Sequence, residues 1–338
     1  MKTIEQLELE LAKPSEALIK DLTQIEGDIM LLGIGGKMGP SLARLAKNAL
    51  KEAGINKKIY GASRFSDKAL RNELDNDGVE TIAVDLLDDA QLQKLPDVRN
   101  VIYMAGNKFG TTGNEHFTWA MNAYLPGRVA EKYKDSRIVV FSTGNVYPLT
   151  PVFNGGATEQ TPTGPVGEYG QSCLGRERIF EHFAHKYKIP MTIFRLNYAV
   201  DLRYGVLLEI AKSVKAGKAV QLGTGHVNVI WQGDANEWAI RSLNVCQTPP
   251  TVLNVSGPET ISLRWVAALF AKRFGLEPQY EGVESATALL SNCSKAHQLF
   301  GYPRVSLLQM IDWIAEWVAD GGEMWNKPTH FEEREGKY

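Results

Sequence analysis

The chain has 338 residues, enough for one large domain or two. Its 37 basic and 39 acidic side chains leave a formal net charge of −2 and are interspersed, so there is no general electrostatic case for nucleic acid or an anionic membrane as partner. Cys173, Cys246 and Cys293 show no metal-ligand spacing and read as reduced thiols; no metal is expected, and the expected location is cytoplasmic. The charged N-terminus contains no secretory apolar core, and no apolar run approaches the roughly 20 residues that span a bilayer.

In chain order, Ile4, Leu7 and Leu11, then Leu18, Leu22 and Ile25, fall at helical spacing around Pro14. This predicts an N-terminal extension, 1–26, of two short amphipathic helices. From Asp28 the apolar runs "IMLLG", "KKIYGAS", "TIAVD", "NVIYMAG", "RIVVFS" and "MTIFRL" alternate with helical stretches, as buried parallel strands do when helices cover both faces of a sheet. The order predicts an α/β doubly wound parallel sheet of Rossmann type over 27–198. A smaller mixed C-terminal lobe is expected over 199–325, with 228–258 returning to the sheet through "TVLNVSG". The polar tail, 326–338, is expected to be loosely held.

"IMLLGIGGKMGPSLARLA" places Gly33, Gly36 and Gly39 between a buried strand and a helix. Glycines there permit a tight turn and the close approach of a pyrophosphate to the helix N-terminus, so a dinucleotide is the expected ligand, with Lys37 and Met38 beside it. The second strand ends on Ser63 and Arg64 and offers no acid to an adenosine ribose, so NADP is favoured over NAD. Lys37 would add a second cation for the 2′-phosphate, and a solvated Arg64 is the alternative. Asp67 reads as a helix N-cap. Asp85 with Leu86 would meet the adenine, and Ala105 and Gly106, ending the fourth strand, would also border the cofactor.

With these parts in view, the chain from Asp28 to Asp320 resembles the extended short-chain dehydrogenases, the NAD(P)-dependent epimerase/dehydratase family. "VIYMAGNK", "FSTGNVYP", "TEQTPTGPVGEYGQS", "VLNVSGPETISLRWVAALF" and "CSKAHQLFGYPRVSLLQMIDWI" match its landmarks in order. The resemblance implies that Thr143 bonds the reacting oxygen, that Tyr169 is the acid/base, that Asn122 helps order the cofactor site, and that Glu177 is structural. It further implies a homodimer through helices around 115–133 and 169–187, and hydride transfer on a small, sugar-like polyhydroxylated substrate.

Two departures stand out. The stretch "GTGHVNVIWQGD" lacks the family's arginine, which weakens a nucleotide-sugar substrate. In "YGQSCLGRER" the lysine of Y-x-x-x-K is Cys173. A free tyrosine has a pKa of about 10, and a cation within about 4–6 Å can lower it by 1–3 units, so the missing lysine matters. By helix rise Arg176 is an unlikely substitute. Lys108, in an "AGNK" similar to the A-G-x-K of UDP-galactose 4-epimerases, is the candidate for part of the lost charge; the alternative holds it on the pyrophosphate. Cys173→Lys is then expected to speed the reaction or leave it unharmed. Two readings follow: an NAD(P)-dependent epimerase, dehydratase or reductase, or a catalytically silent NAD(P)-binding sensor.

Overall fold

The computed structural model describes residues 1–108, 110–325 and 327–337. Seven strands form one parallel sheet: β1 (Ile29–Leu32), β2 (Ile59–Ser63), β3 (Glu80–Ala83), β4 (Asn100–Tyr103), β5 (Arg137–Thr143), and strands Met191–Leu196 and Thr251–Val255. The chain runs outward through β2 and β3 on one side of β1. It then returns to pair β4 with β1's other edge and continues outward through β5 to Thr251–Val255. The reversal between β1 and β4 opens a crevice at the strand C-termini, the ligand position in a doubly wound sheet.

The strand run is apolar because both faces are covered. Ile29 and Leu31 point into one core with Leu42, Leu45 and Trp238, while Met30 and Leu32 point into the other with Leu125, Val129 and Phe180. That is the alternation of a pleated strand buried on both sides. The covering helices are α3 (Gly39–Glu52), α4 (Lys68–Asn76), α5 (Asp89–Gln93), α6 (Glu115–Trp119), α7 (Leu125–Lys132) and α8 (Gly167–Tyr187) within the Rossmann part. Asp67 does cap Lys68–Asn76, its carboxylate accepting from the Ala69 and Leu70 amides. The stretch expected as one helix around 115–133 is broken by a π-helical turn, Ala120–Tyr124.

A third core lies in the lobe, where helices Val206–Lys215, Leu263–Phe274 and Leu307–Ala319 bury Leu207, Phe270 and Trp317. The N-terminal helices Ile4–Leu11 and Glu16–Gln24 flank Pro14 and tie the parts together. Leu7 and Leu11 enter the lobe core, and Leu18 and Leu22 enter the sheet core. Between them Glu8 bridges Arg203 of the lobe at 2.6 Å and Arg44 of α3 at 2.9 Å.

The tail is not loosely held. Thr329 and Phe331 are buried, Glu209 accepts from the Thr329 amide at 2.5 Å and its hydroxyl at 2.8 Å, and Arg334 donates to the Thr287 carbonyl at 2.8 Å. Its polar side chains find fixed partners in the lobe, which composition alone does not reveal.

Candidate active site

The glycine turn is built for close approach. Gly33 has φ +91°, and a Cβ there would lie 2.7 Å from the Ala105 backbone nitrogen; at Gly39 it would lie 2.1 Å from the Ile34 carbonyl oxygen. Gly39 thus lets the helix start pack on the turn at Ile34 and lines neither cavity, while Gly33 and Gly36 line both. One cavity, of about 290 Å³, is bordered by Ser63 and Arg64 from the end of β2, and by Asp85 and Leu86 after β3. Ala105 and Gly106 close it from the end of β4. A bare glycine turn over a helix N-terminus, beside a cleft at the switch point, fits a dinucleotide.

The adjoining cavity, about 410 Å³, contains Thr143, Tyr169, Lys108, Lys37 and Met38. Thr143 ends β5, and Tyr169 occupies the first turn of α8. Both side chains line this one cavity. Burial pushes the Tyr169 phenol well above its ordinary pKa, and the neighbouring Cys173 adds to the rise, while the Arg176 charge and the Thr143 hydroxyl oppose it. Burial also raises the Cys173 thiol. Both groups are therefore protonated near neutral pH.

The helix face carrying Tyr169 also carries Cys173, Arg176 and Glu177, at i, i+4, i+7 and i+8. The Arg176 charge opposes the rise at Tyr169 without cancelling it. Its buried guanidinium donates to the Phe141 carbonyl at 2.8 Å and to Asn122 Oδ1 at 2.7 Å, and it lies 5.8 Å from the Tyr103 ring centroid. A Cβ on Gly106 would come within 2.3 Å of it. Counting helix rise measured Cα positions only; helical side chains lean toward the N-terminus, and a long one covers the preceding turn. The small Cys173 side chain and the missing Cβ of Gly106 leave it space.

Asn122, expected to help order the cofactor site, is fully buried and lines neither cavity. The π turn aims it inward, where Nδ2 donates to the Asn107 carbonyl at 2.8 Å and Ser172 Oγ at 3.0 Å. Its Oδ1 accepts from the Asn107 amide at 2.8 Å as well as from Arg176. A π-helical turn at such a point is a recurrent way to redirect one side chain. Asn122 thus orients Arg176 and the loop after β4 rather than meeting a ligand.

Lys37 does not sit beside Arg64. Its ammonium lies 3.1 Å from the Tyr204 ring centroid, in the cavity that contains Tyr169. Burial, with the charges of Lys108 and Lys327, lowers its pKa to about 7. Lys108 stands over the Tyr169 ring, 5.7 Å from its centroid, and donates to the Thr329 carbonyl at 3.1 Å. Burial brings Lys108 to about 8. Glu177 holds α8 in place, since its carboxylate accepts from Ser142 at 2.5 Å and from Arg195 at 2.6 and 2.9 Å. Helix rise sets Arg176 aside although it shares a face with Tyr169, and Thr329 escapes sequence reasoning because nothing local marks it. Among the described residues no group of three His, Cys, Asp or Glu side chains is placed to hold a metal, and no helix is long and apolar enough to cross a membrane.

The model of the NAD dependent epimerase/dehydratase family matches residues 29–226, more than half of the chain. The chain belongs to that family. Among solved members of the fold, UDP-glucuronic acid 4-epimerase from Bacillus cereus, in complex with UDP-glucuronic acid and NAD, is 19% identical with a TM-score of 0.70; the alignment covers 86% of this chain and 99% of that one. UDP-glucose 4-epimerase from Thermotoga maritima, with UDP-glucose, is 16% identical with a TM-score of 0.66, covering 87% and 99%. Pal from Bacillus thuringiensis is 17% identical with a TM-score of 0.69, covering 86% and 99%. At these identities the likeness is one of fold. No curated protein matches the chain.

Proposed function

We propose that this member of the NAD dependent epimerase/dehydratase family acts as an epimerase, dehydratase or reductase on a sugar-like polyhydroxylated substrate. The observation that carries the reading is that Tyr169 and Thr143 line one cavity with the glycine turn. A bound nicotinamide dinucleotide supplies the hydride acceptor and donor. Gly33, Gly36 and Met38 border its pyrophosphate side of the site, Arg64 meets a 2′-phosphate, and Asp85 and Leu86 meet the adenine. NADP is the cofactor this set favours.

Thr143 shares the substrate oxygen, and Tyr169 gives or takes its proton. Arg176 supplies the buried positive charge that a lysine at position 173 would otherwise bring, acting through its field at Tyr169. Lys108 adds a second positive charge over the ring. A neutral phenol suits proton donation directly, whereas proton abstraction depends on those two cations. Glu177 and Asn122 act as positioning residues, one on the helix and one on the guanidinium.

The test is a screen of sugar acids, polyols and nucleotide sugars, read by NAD(P)H absorbance and by product NMR, which detects an epimerisation without net redox change. Tyr169→Phe should abolish turnover. Full activity of that variant on a verified substrate would place the chemistry elsewhere. The rise of the Tyr169 phenol favours a second reading, a silent NAD(P)-binding sensor. Cofactor binding without turnover of any substrate in the screen would select it.

A further inference from the structure

We infer that residues 327–337 form the outer wall of the substrate site and hold it to a free, monosaccharide-sized sugar rather than a sugar nucleotide. The inference rests on the proposed sugar chemistry at Tyr169 and deepens it.

The tail spans the mouth of the cleft from lobe to sheet. It leaves the lobe at Trp325, whose ring lies 4.6 Å from the Arg203 guanidinium and whose amide donates to the Arg203 carbonyl. Thr329 then enters the lining of the cavity that holds Tyr169, fixed from the lobe side by Glu209 and from the sheet side by Lys108. Phe331 is buried in the lobe core, and its carbonyl accepts from Thr224 at 3.3 Å. Thr224 belongs to the stretch in which no arginine occurs. Arg334 clasps Thr287 through backbone and hydroxyl.

The far end lies on the start of α8. Gly336 and Gly167 both have positive φ, +78° and +74°, and a Cβ on Gly336 would be 2.5 Å from Gly167 Cα. Two backbones in contact at that spacing leave no passage between tail and helix. The segment is thus fixed at four points by hydrogen bonds and apolar burial, each bond worth roughly 0.5–1.5 kcal/mol.

Size then decides the substrate. The cavity of about 410 Å³ stands near the lower end of the roughly 300–1,000 Å³ range of small-molecule sites. Gly33, Gly36 and Met38 share its lining, so the nicotinamide end of the cofactor takes part of it. What remains suits one sugar ring. On the side where Thr224 bonds the Phe331 carbonyl, a nucleoside diphosphate joined to that ring would meet Thr329 and the tail.

The test uses the NADP-loaded full chain, titrated by calorimetry with glucuronate and with UDP-glucuronate, while amide exchange is followed over residues 329–336. Expected are at least tenfold tighter binding of glucuronate, slow exchange at the Thr329 and Phe331 amides, and a narrowed ratio in Phe331→Ala and Arg334→Ala. Wild-type binding of UDP-glucuronate as tight as that of glucuronate, or exchange of 329–336 at unfolded rates, would overturn the wall. Binding of neither probe with the amides still protected would overturn the sugar reading beneath it. The two failures differ in what the tail amides report.

Discussion

Replacing Arg176 by methionine would remove the buried charge at roughly constant volume. A cation near a phenol lowers its pKa by about 1–3 units, worth about 1.4 kcal/mol each. The direction follows from the charge: Arg176 favours the phenolate, so its loss raises Tyr169 further. Wherever Tyr169 must take a proton from a substrate hydroxyl, kcat/KM climbs with pH until the phenol ionises. In Arg176→Met that climb should move to higher pH, and the rate at pH 8 should fall by about tenfold for each unit that it moves. The variant also strips a donor from Asn122 Oδ1 and from the Phe141 carbonyl, so thermal unfolding must be recorded beside the kinetics. A structural role predicts a uniform loss with an unmoved profile; an electrostatic one predicts a moved profile that Arg176→Lys partly restores. If Arg176→Met keeps the wild-type pH profile on a verified substrate, the charge argument fails.

NADPH should bind more tightly than NADH, and Arg64→Ala should remove most of the difference; equal wild-type affinities would refute this. Binding either cofactor near pH 8 should take up protons, because Lys37, at about 7, and Lys108, at about 8, regain charge as the phosphates arrive. Calorimetry in two buffers of different ionisation heat measures the uptake, and Lys37→Met should reduce it. The protein should run as a homodimer through the helices around 115–133 and 169–187, where Trp119 and Tyr124 are exposed at 38% and 56%; light scattering at micromolar concentration would show a monomer if that is wrong.

What was legible in the sequence followed local rules. Strand runs, the glycine turn, the Asp67 cap and the return of Thr251–Val255 each leave a short-range mark, either periodicity or a residue type suited to a backbone state. The less legible parts depend on contacts between distant segments. Asn122 reads as a ligand-side residue until a π turn rotates it toward Asn107 and Arg176. Lys37 lies in the glycine turn beside a cofactor site, yet its side chain turns over Tyr204, 167 residues away in sequence (204 − 37). The tail is polar by composition, and its order comes from distant partners such as Glu209, Thr224, Thr287 and Lys108.

Cys173 and Arg176 are best understood as one arrangement, which reverses the expectation for Cys173→Lys. Cys173 is fully buried, and its neighbours within the cluster include Val146 and Tyr147 as well as the ring of Tyr169. A lysine there would bring a second ammonium into a pocket that already holds a guanidinium, with no carboxylate to pair with it, since Glu177 is engaged by Arg195 and Ser142. An uncompensated buried charge costs about 3–5 kcal/mol, which matches or exceeds the roughly 1–4 kcal/mol that a better-placed cation returns at the phenol. The single variant should therefore unfold at lower temperature and lose activity. Cys173→Lys combined with Arg176→Met leaves one cation again, and should recover stability and rate beyond the sum of the two single effects. Additive losses in that cycle would show that the two positions act independently, and a stable, fully active Cys173→Lys would show that Arg176 does not occupy the charge site.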